Sequence, residues 1–321
     1  MSSTPPVKIG LIGLGRMGQN HLRVLSLLAA ADLCWVHDSN AEHGKAIAAA
    51  AGFRHVENVE AALAEVEAVV IASPTTTHDH YIRIAAEKLQ HIFVEKPIAE
   101  RLDTSIAIRD LAHARGIHMQ VGLIERFNPA VVQMKQLLDR SEQVVSVDFT
   151  RTNKISARIT DVDVVTDLMI HDIDLALHLN GPVVQVSAHG VAEGPMIDYA
   201  AALLSHANGR FSRIQASRIT DKKMRSIQAT CKDMFIDCDL LSKEISISRH
   251  NEVEQRPGQP YHITRTEESV EVQPREALQL ELQAFLSGCH GNIDLQSPDA
   301  EAGVAAMTVC EQVLTSILGP A

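Results

Sequence analysis

Residues 7–40 read VKIGLIGLGRMGQNHLRVLSLLAAADLCWVHDSN: an apolar run, three spaced glycines, a helical stretch, and a second apolar run that ends at Asp38. Gly13, Gly15 and Gly18 keep the spacing G-x-G-x-x-G at the junction between the first run and the helix. Each position has a mechanical reason. Glycine at 13 permits a tight turn, at 15 it lets a pyrophosphate approach the backbone, and at 18 it lets the helix lie close to the strand. The helix start, with Arg16 and Met17 in its first turn, then turns unsatisfied amides toward the anion. Asp38 follows Gly18 by 20 positions, where a carboxylate hydrogen-bonds a ribose 2′-hydroxyl and repels a 2′-phosphate. Glycine spacing alone is a weak signal, but its place between a strand, a helix and a second strand ending in an acid predicts a dinucleotide site that favours NAD over NADP. The alternative is another nucleotide-binding α/β protein, such as a methyltransferase.

Outward from this stretch the alternation continues, with strands at AVVIAS, HIFV and IHMQVG between helices such as THDHYIRIAAEKLQ and DTSIAIRDLAHARG. That rhythm predicts a doubly wound parallel sheet covered on both faces. Ligands bind such sheets at the carboxyl ends of the strands, where SPTTTH (73–78) and EKP (95–97) fall. Ser73, Pro74, Thr75, His78, Glu95 and Lys96 therefore join the glycine turn and Asp38 as expected cofactor contacts. Lys96 closely follows the buried run IFV and Pro97 fixes the chain beyond it. It reads either as a salt-bridged loop lysine or as a cation that polarises a substrate oxygen. His78 reads as a helix start or a cofactor contact. His80, His91, His113 and His118 read as surface or packing residues. No pair of them has ligand spacing together with a cysteine or carboxylate partner, so no metal site is expected.

After QVG (120–122) the pattern changes to one helix, ERFNPAVVQMKQLLD, and then to strand-like runs with short turns, which predicts a mainly antiparallel sheet. The expected class is α/β: an N-terminal Rossmann domain over 1–122 and a C-terminal α+β domain over 123–321. A chain of 321 residues suits two domains with a cleft between them. Residues 166–179, TDLMIHDIDLALHL, form an apolar helix that carries several ionisable groups. Asp167 and His171 are four apart and share a face, with Asp174 a further turn along. They read as caps, pairs and solvated groups, or as a carboxylate that fixes an imidazole for acid/base work.

Composition narrows the remaining classes. The chain is 45% hydrophobic and 21% charged, and it holds no apolar run long enough to span a bilayer. The net charge of -11 opposes general attraction to nucleic acid or anionic lipid. Five cysteines without a CxxC pair argue against a disulfide framework and a zinc knuckle, and predict reduced, mostly buried thiols. The first apolar segment follows a short polar MSSTPP and is interrupted by glycine, unlike a secretory signal, so a cytoplasmic location is expected.

GLGRMGQNHL, ASPTTTH, EKPIA, ERFNPA and DLMIHDIDLAL, in this order and at these distances, resemble the glucose-fructose oxidoreductase/inositol dehydrogenase (Gfo/Idh/MocA) family of NAD(P)-dependent sugar oxidoreductases, from end to end of the chain. The resemblance implies that Lys96, Asp167 and His171 form the catalytic triad, with His171 as general base, Asp167 orienting it and Lys96 bonding the developing oxyanion. It also implies a homodimer or homotetramer, the second domain's sheet being covered by another subunit. VGLIERFNPAV, RITDVDVVTDLMIHDID and RITDKKMRSIQ look most like the branch that oxidises C3 of UDP-N-acetylglucosamine and supplies an aminotransferase that makes a 3-amino sugar of lipid A. Leu123 and Asp163 stand where that branch usually has His and Gly. The substrate residues implied are Glu125, Arg126, Asn128, Arg158, Asp163, Asp167 and His171. Lys154, Lys222, Lys223, Arg218 and Arg225 are further cations for a UDP diphosphate, although 218–225 also reads as a solvated strand edge. The competing expectations are an inositol or free-sugar dehydrogenase of the same family and a non-catalytic NAD-binding regulator.

Overall fold

Side chains that alternate along a strand face opposite sides of its sheet, and the first unit of the protein uses this to build two cores on one sheet. The computed structural model describes residues 5–141, 143–154, 162–193, 196–250 and 265–319. Strands β1 (Val7–Ile12), β2 (Ala31–His37), β3 (Ala68–Ile71), β4 (His91–Glu95) and β5 (His118–Gly122) alternate with helices α1 (Arg16–Leu25), α2 (Ala41–Ala51), the single turn α3 (Val59–Ala62), α4 (His78–Ala86) and α5 (Leu102–Arg115). The strands pair in parallel in the order β2-β1-β3-β4-β5. Ile9, Leu11, Val70 and Phe93 pack with Leu22, Leu25 and Ala48 of α1 and α2. Their neighbours Ile12, Ile71, Ile92 and Val94 pack with Ile82, Ala85 and Ile108 of α4 and α5 on the other face. The sheet is doubly wound, as the alternation predicts, and its order reverses between β1 and β3, where the glycine turn lies. Leu123, which stands where His is usual in the branch it resembles, is buried in the α4/α5 core and packs within this unit.

The second unit starts with α6 (Pro129–Arg140), which has Pro129 in its first turn and the Asn128 side chain as its cap. There follow β6 (Val144–Thr152), a π-helical turn over Val165–Met169 and α7 (Ile170–Asn180). Among the described residues seven more strands follow: β7 (Val183–Glu193), β8 (Met196–His206), β9 (Phe211–Ser217), β10 (Met224–Cys231), β11 (Phe235–Asp239), β12 (Glu244–His250) and β13 (Arg265–Val270). The eight-stranded order is β13-β12-β11-β10-β6-β9-β8-β7. Every neighbouring pair is antiparallel except β6 and β9.

Helices α8 (Ala277–Cys289) and α9 (Ala300–Leu318) follow, and their placement departs from a single cut after residue 122. The first unit comprises Met1–Ile124 and Glu276–Met307, the second Glu125–Arg275 and Thr308–Ala321. The reason is visible in the packing: Leu278, Leu282, Phe285 and Leu286 of α8 belong to the α1/α2 core and cover sheet that those two helices leave bare. Among the described residues no helix is long and apolar enough to cross a membrane. No disulfide joins the five cysteines, of which Cys231, Cys238 and Cys310 are buried and Cys34 and Cys289 half-buried.

Candidate active site

In the first unit the glycine turn is held by backbone geometry that other residues cannot adopt. Gly13 has φ +94°, and a Cβ there would lie 2.5 Å from the Ser73 amide nitrogen. A Cβ on Gly18 would lie 1.9 Å from the Gly13 carbonyl oxygen, so only glycine lets α1 approach β1 this closely. Gly15, the N-cap of α1, faces open space, with nothing within 4 Å of where a Cβ would be. The helix leaves the amides of Arg16, Met17 and Gly18 without intrahelical acceptors. At the end of β2, Asp38 accepts from the Leu14 amide (2.8 Å) and the Asn40 amide (2.9 Å), which fixes its carboxylate beside the turn with lone pairs to spare. Open space, orphan amides and an anchored acid fit the pyrophosphate and ribose of a dinucleotide.

The other two loops expected at this sheet end are tied to it by buried histidines. His78, only 1% exposed, places Nδ1 2.9 Å from the Pro97 carbonyl and Nε2 2.9 Å from the Ser73 carbonyl. Burial lowers its pKa, against the two carbonyls that favour protonation. With both nitrogens turned to the backbone, His78 staples the Ser73 loop to the Lys96–Pro97 segment, so its direct contacts are to the loops. Thr77 donates to Ser73 Oγ at 2.8 Å. Glu95 accepts from His21 Nε2 at 2.7 Å. His21, on α1 and fully buried against the edge of Phe93, was missed by the sequence reading, although its place three residues after Gly18 puts it on the same inward helix face. Lys96, half-buried, follows this anchored carboxylate.

In the second unit most of the expected substrate residues are held by internal partners. Arg151, at 2% exposure one of the largest fully enclosed side chains, donates from Nε and Nη2 to the two oxygens of Asp172 (2.8 Å each) and from Nη1 to Glu125 (2.9 Å). Glu125 also accepts from Asn128 (3.2 Å), whose own oxygen caps α6. Burial raises the Glu125 carboxyl, but Arg151 outweighs it and holds the group below its usual range. Burial pushes Asp172 and Asp174 up, opposed by Arg151 and Arg126 respectively. Arg126 grips Asp174 through Nη2 (2.6 Å) and Nε (3.0 Å). Asp174, 1% exposed, is thus held inside the unit by Arg126.

Asp163 accepts from the Val165 and Thr166 amides (2.7 and 3.0 Å) and caps the π turn. Arg218 donates to Asp167 Oδ2 at 3.0 Å and to the carbonyls of Val162 and Asp163. At 5% exposure it is no solvated strand edge, whereas Lys222 and Lys223 beyond it are exposed. Lys154 pairs with Asp221 on the surface, and Arg225 lies 3.6 Å from Glu125. Asp167 sits in the π turn and His171, half-buried, in the first turn of α7. Arg158 lies outside the described residues.

His91 and His118, read from sequence as packing residues, start β4 and β5 and come together with Cys289, a grouping the sequence did not announce because its members are far apart in the chain.

Residues 7–123 match the model of an oxidoreductase family with an NAD-binding Rossmann fold, and residues 142–234 match the GFO/IDH/MocA C-terminal domain. The UDP-N-acetylglucosamine 3-dehydrogenase of Acidithiobacillus ferrooxidans is 32% identical over 88% of each chain. Its solved structure superposes with a TM-score of 0.86 at 29% identity over 98% of each chain. The inositol 2-dehydrogenase of Rhizobium meliloti is 27% identical over 97% of each chain. The two family-model matches, over residues 7–123 and 142–234, and the relative at 32% identity make this chain a member of the Gfo/Idh/MocA family and an NAD-dependent oxidoreductase.

Proposed function

We propose that this enzyme oxidises the C3 hydroxyl of UDP-N-acetylglucosamine to the 3-keto sugar nucleotide. The observation that carries the reading is the similarity to a UDP-N-acetylglucosamine 3-dehydrogenase at 32% identity over 88% of each chain. Removing hydride from an alcohol requires removing its proton as well, and three side chains are suited to that task. His171 accepts the hydroxyl proton, Asp167 orients the imidazole and stabilises its charged form, and Lys96 hydrogen-bonds the oxygen as negative charge develops. Gly13, Gly15, Arg16, Met17, Gly18 and Asp38 with the Ser73–Thr75 loop would hold NAD, which would supply the hydride acceptor. Arg218 acts through Asp167 as a positioning residue. Glu125, Arg126 and Asn128 shape the substrate side through their internal network, and the exposed Lys222 and Lys223 with Arg158 meet the diphosphate.

The keto product is an acceptor for a pyridoxal-phosphate aminotransferase, which would yield a 3-amino sugar for lipid A. We assign the enzyme to the cytoplasm as a homodimer or homotetramer. The outward positions of β8, including Leu203 at 44% exposure, supply apolar surface for a subunit contact. The 27% identity over 97% of each chain with an inositol 2-dehydrogenase supports the second reading, oxidation of a polyol.

Purified protein incubated with NAD and, separately, UDP-N-acetylglucosamine, UDP-glucose and myo-inositol separates these readings by NADH absorbance. Fast NADH formation with UDP-N-acetylglucosamine, and a product that gains one deuterium at C3 on borodeuteride reduction, is the expected result. Faster turnover of myo-inositol establishes the polyol reading, and absence of NADH with all three overturns both.

A further inference from the structure

We propose that His91, His118 and Cys289 form a binding site for one divalent transition-metal ion of the zinc class, at the end of the first unit's sheet opposite the glycine turn. The site is built by strand register. His91 opens β4 and His118 opens β5, and they are direct partners across the parallel pair, which sets the two imidazoles side by side. Their Nδ1 atoms are 3.4 Å apart with the rings at 71°. That separation is long for a hydrogen bond, which falls at about 2.7–3.2 Å. It matches the edge of a tetrahedron whose zinc–nitrogen bonds are about 2.0–2.1 Å long, an edge of roughly 3.3–3.4 Å.

The third donor arrives with α8. Gly288 lets the helix end close on the ring, because a Cβ there would lie 2.2 Å from His118 Cε1. One turn earlier Phe285 stacks on His118 at 5.5 Å and fixes its plane. Cys289 then brings Sγ to the cluster, so that one nitrogen from each histidine and the sulfur all lie within 4.8 Å of one another. Two imidazoles and a thiolate are a zinc-type donor set, and water completes four-coordination. The glycine turn and Lys96 stand at the carboxyl ends of the strands. Crossing β4 from His91 to Glu95 at about 3.3 Å per residue separates the two ends by roughly 13 Å. The ion is therefore a clamp that joins β4, β5 and α8, outside the dehydrogenase chemistry.

The test uses full-length protein prepared without a histidine tag, loaded with Zn²⁺, desalted and analysed for bound metal, then loaded with Co²⁺ in parallel. About one equivalent of zinc is expected. Cobalt should give a sulfur-to-metal charge-transfer band in the near ultraviolet and the strong visible bands of a four-coordinate ion. Cys289→Ser should abolish the charge-transfer band and weaken retention by about 10-fold or more, His91→Ala should do the same to retention, and Cys231→Ser should change neither. NAD binding and far-ultraviolet circular dichroism certify that each variant is folded. Less than about a tenth of an equivalent on folded wild-type protein overturns the site, as does a charge-transfer band that survives Cys289→Ser. Neither outcome depends on which sugar the enzyme oxidises, since the readout is metal content.

Discussion

Arg218 shows how one buried side chain can set up a carboxylate. Its guanidinium collects the carbonyls of Val162 and Asp163 and one oxygen of Asp167, so the loop before the π turn and the acid within it are fixed by the same fork. Two substitutions separate chemistry from support. His171→Ala should lower kcat about 10²- to 10⁴-fold with NAD affinity unchanged, the usual range for losing a general base. Arg218→Ala should lower kcat by about 10-fold or more, a smaller loss because the base itself remains. Steady-state kinetics together with NAD titration by fluorescence quenching checks both. Wild-type kcat in Arg218→Ala alongside a lowered melting temperature would make that arginine purely structural, and wild-type turnover in His171→Ala would remove the imidazole from the mechanism.

At the scale of elements, β6 and α7 are joined by a charge cluster rather than by apolar contact alone. Val147, Phe149 and Arg151 share the inward face of β6, and the arginine docks Asp172 of α7 and Glu125 just before α6. Removing one partner of a buried pair strands the other charge, so Asp172→Ala should cost about 3–5 kcal/mol, read as a lower urea midpoint. Lys135→Ala, which breaks an exposed pair with Asp139 on α6, should leave the midpoint nearly unchanged. A midpoint for Asp172→Ala within error of wild type would show the cluster to be energetically neutral.

The sequence discloses these features unevenly, for physical reasons. The glycine turn was legible because the role of each glycine is local and Asp38 sits at a fixed offset. A charge at position 151, in phase with Val147 and Phe149 along the strand, was the available sign of the buried cluster. Its partners were not legible, since pairing between residues 151, 172 and 125 is decided by how elements dock. The π turn was equally hidden, because it differs from an α-helix in which carbonyl each amide chooses, not in the spacing of apolar residues. His91, His118 and Cys289 meet only because β4 lies beside β5 and α8 returns to them, a consequence of topology over a separation of 171 residues between the last two.

For the molecule as a whole, the same return decides what can fold alone. The apolar face of α8 says that the helix must be covered, but not by which sheet, so a cut after residue 122 was the natural expectation. The structure instead gives Glu276–Met307 to the first unit. A fragment ending at residue 124 would lose Leu278, Leu282, Phe285 and Leu286 from one core and Ala300 and Val304 from the other. At about 1.5–3 kcal/mol for each of the four large side chains, the loss is roughly 6–12 kcal/mol, an upper estimate because unfolded chains already bury some surface. That is comparable to the ~5–15 kcal/mol by which whole domains are stable. The fragment 1–124 should therefore bind a hydrophobic dye, melt without a cooperative transition and fail to retain NAD. Rejoining residues 276–307 through a flexible linker should restore a cooperative melt and NAD binding. Calorimetry of both fragments decides the matter, and a cooperative, NAD-binding fragment 1–124 would mean that α8 decorates the Rossmann sheet without completing its core.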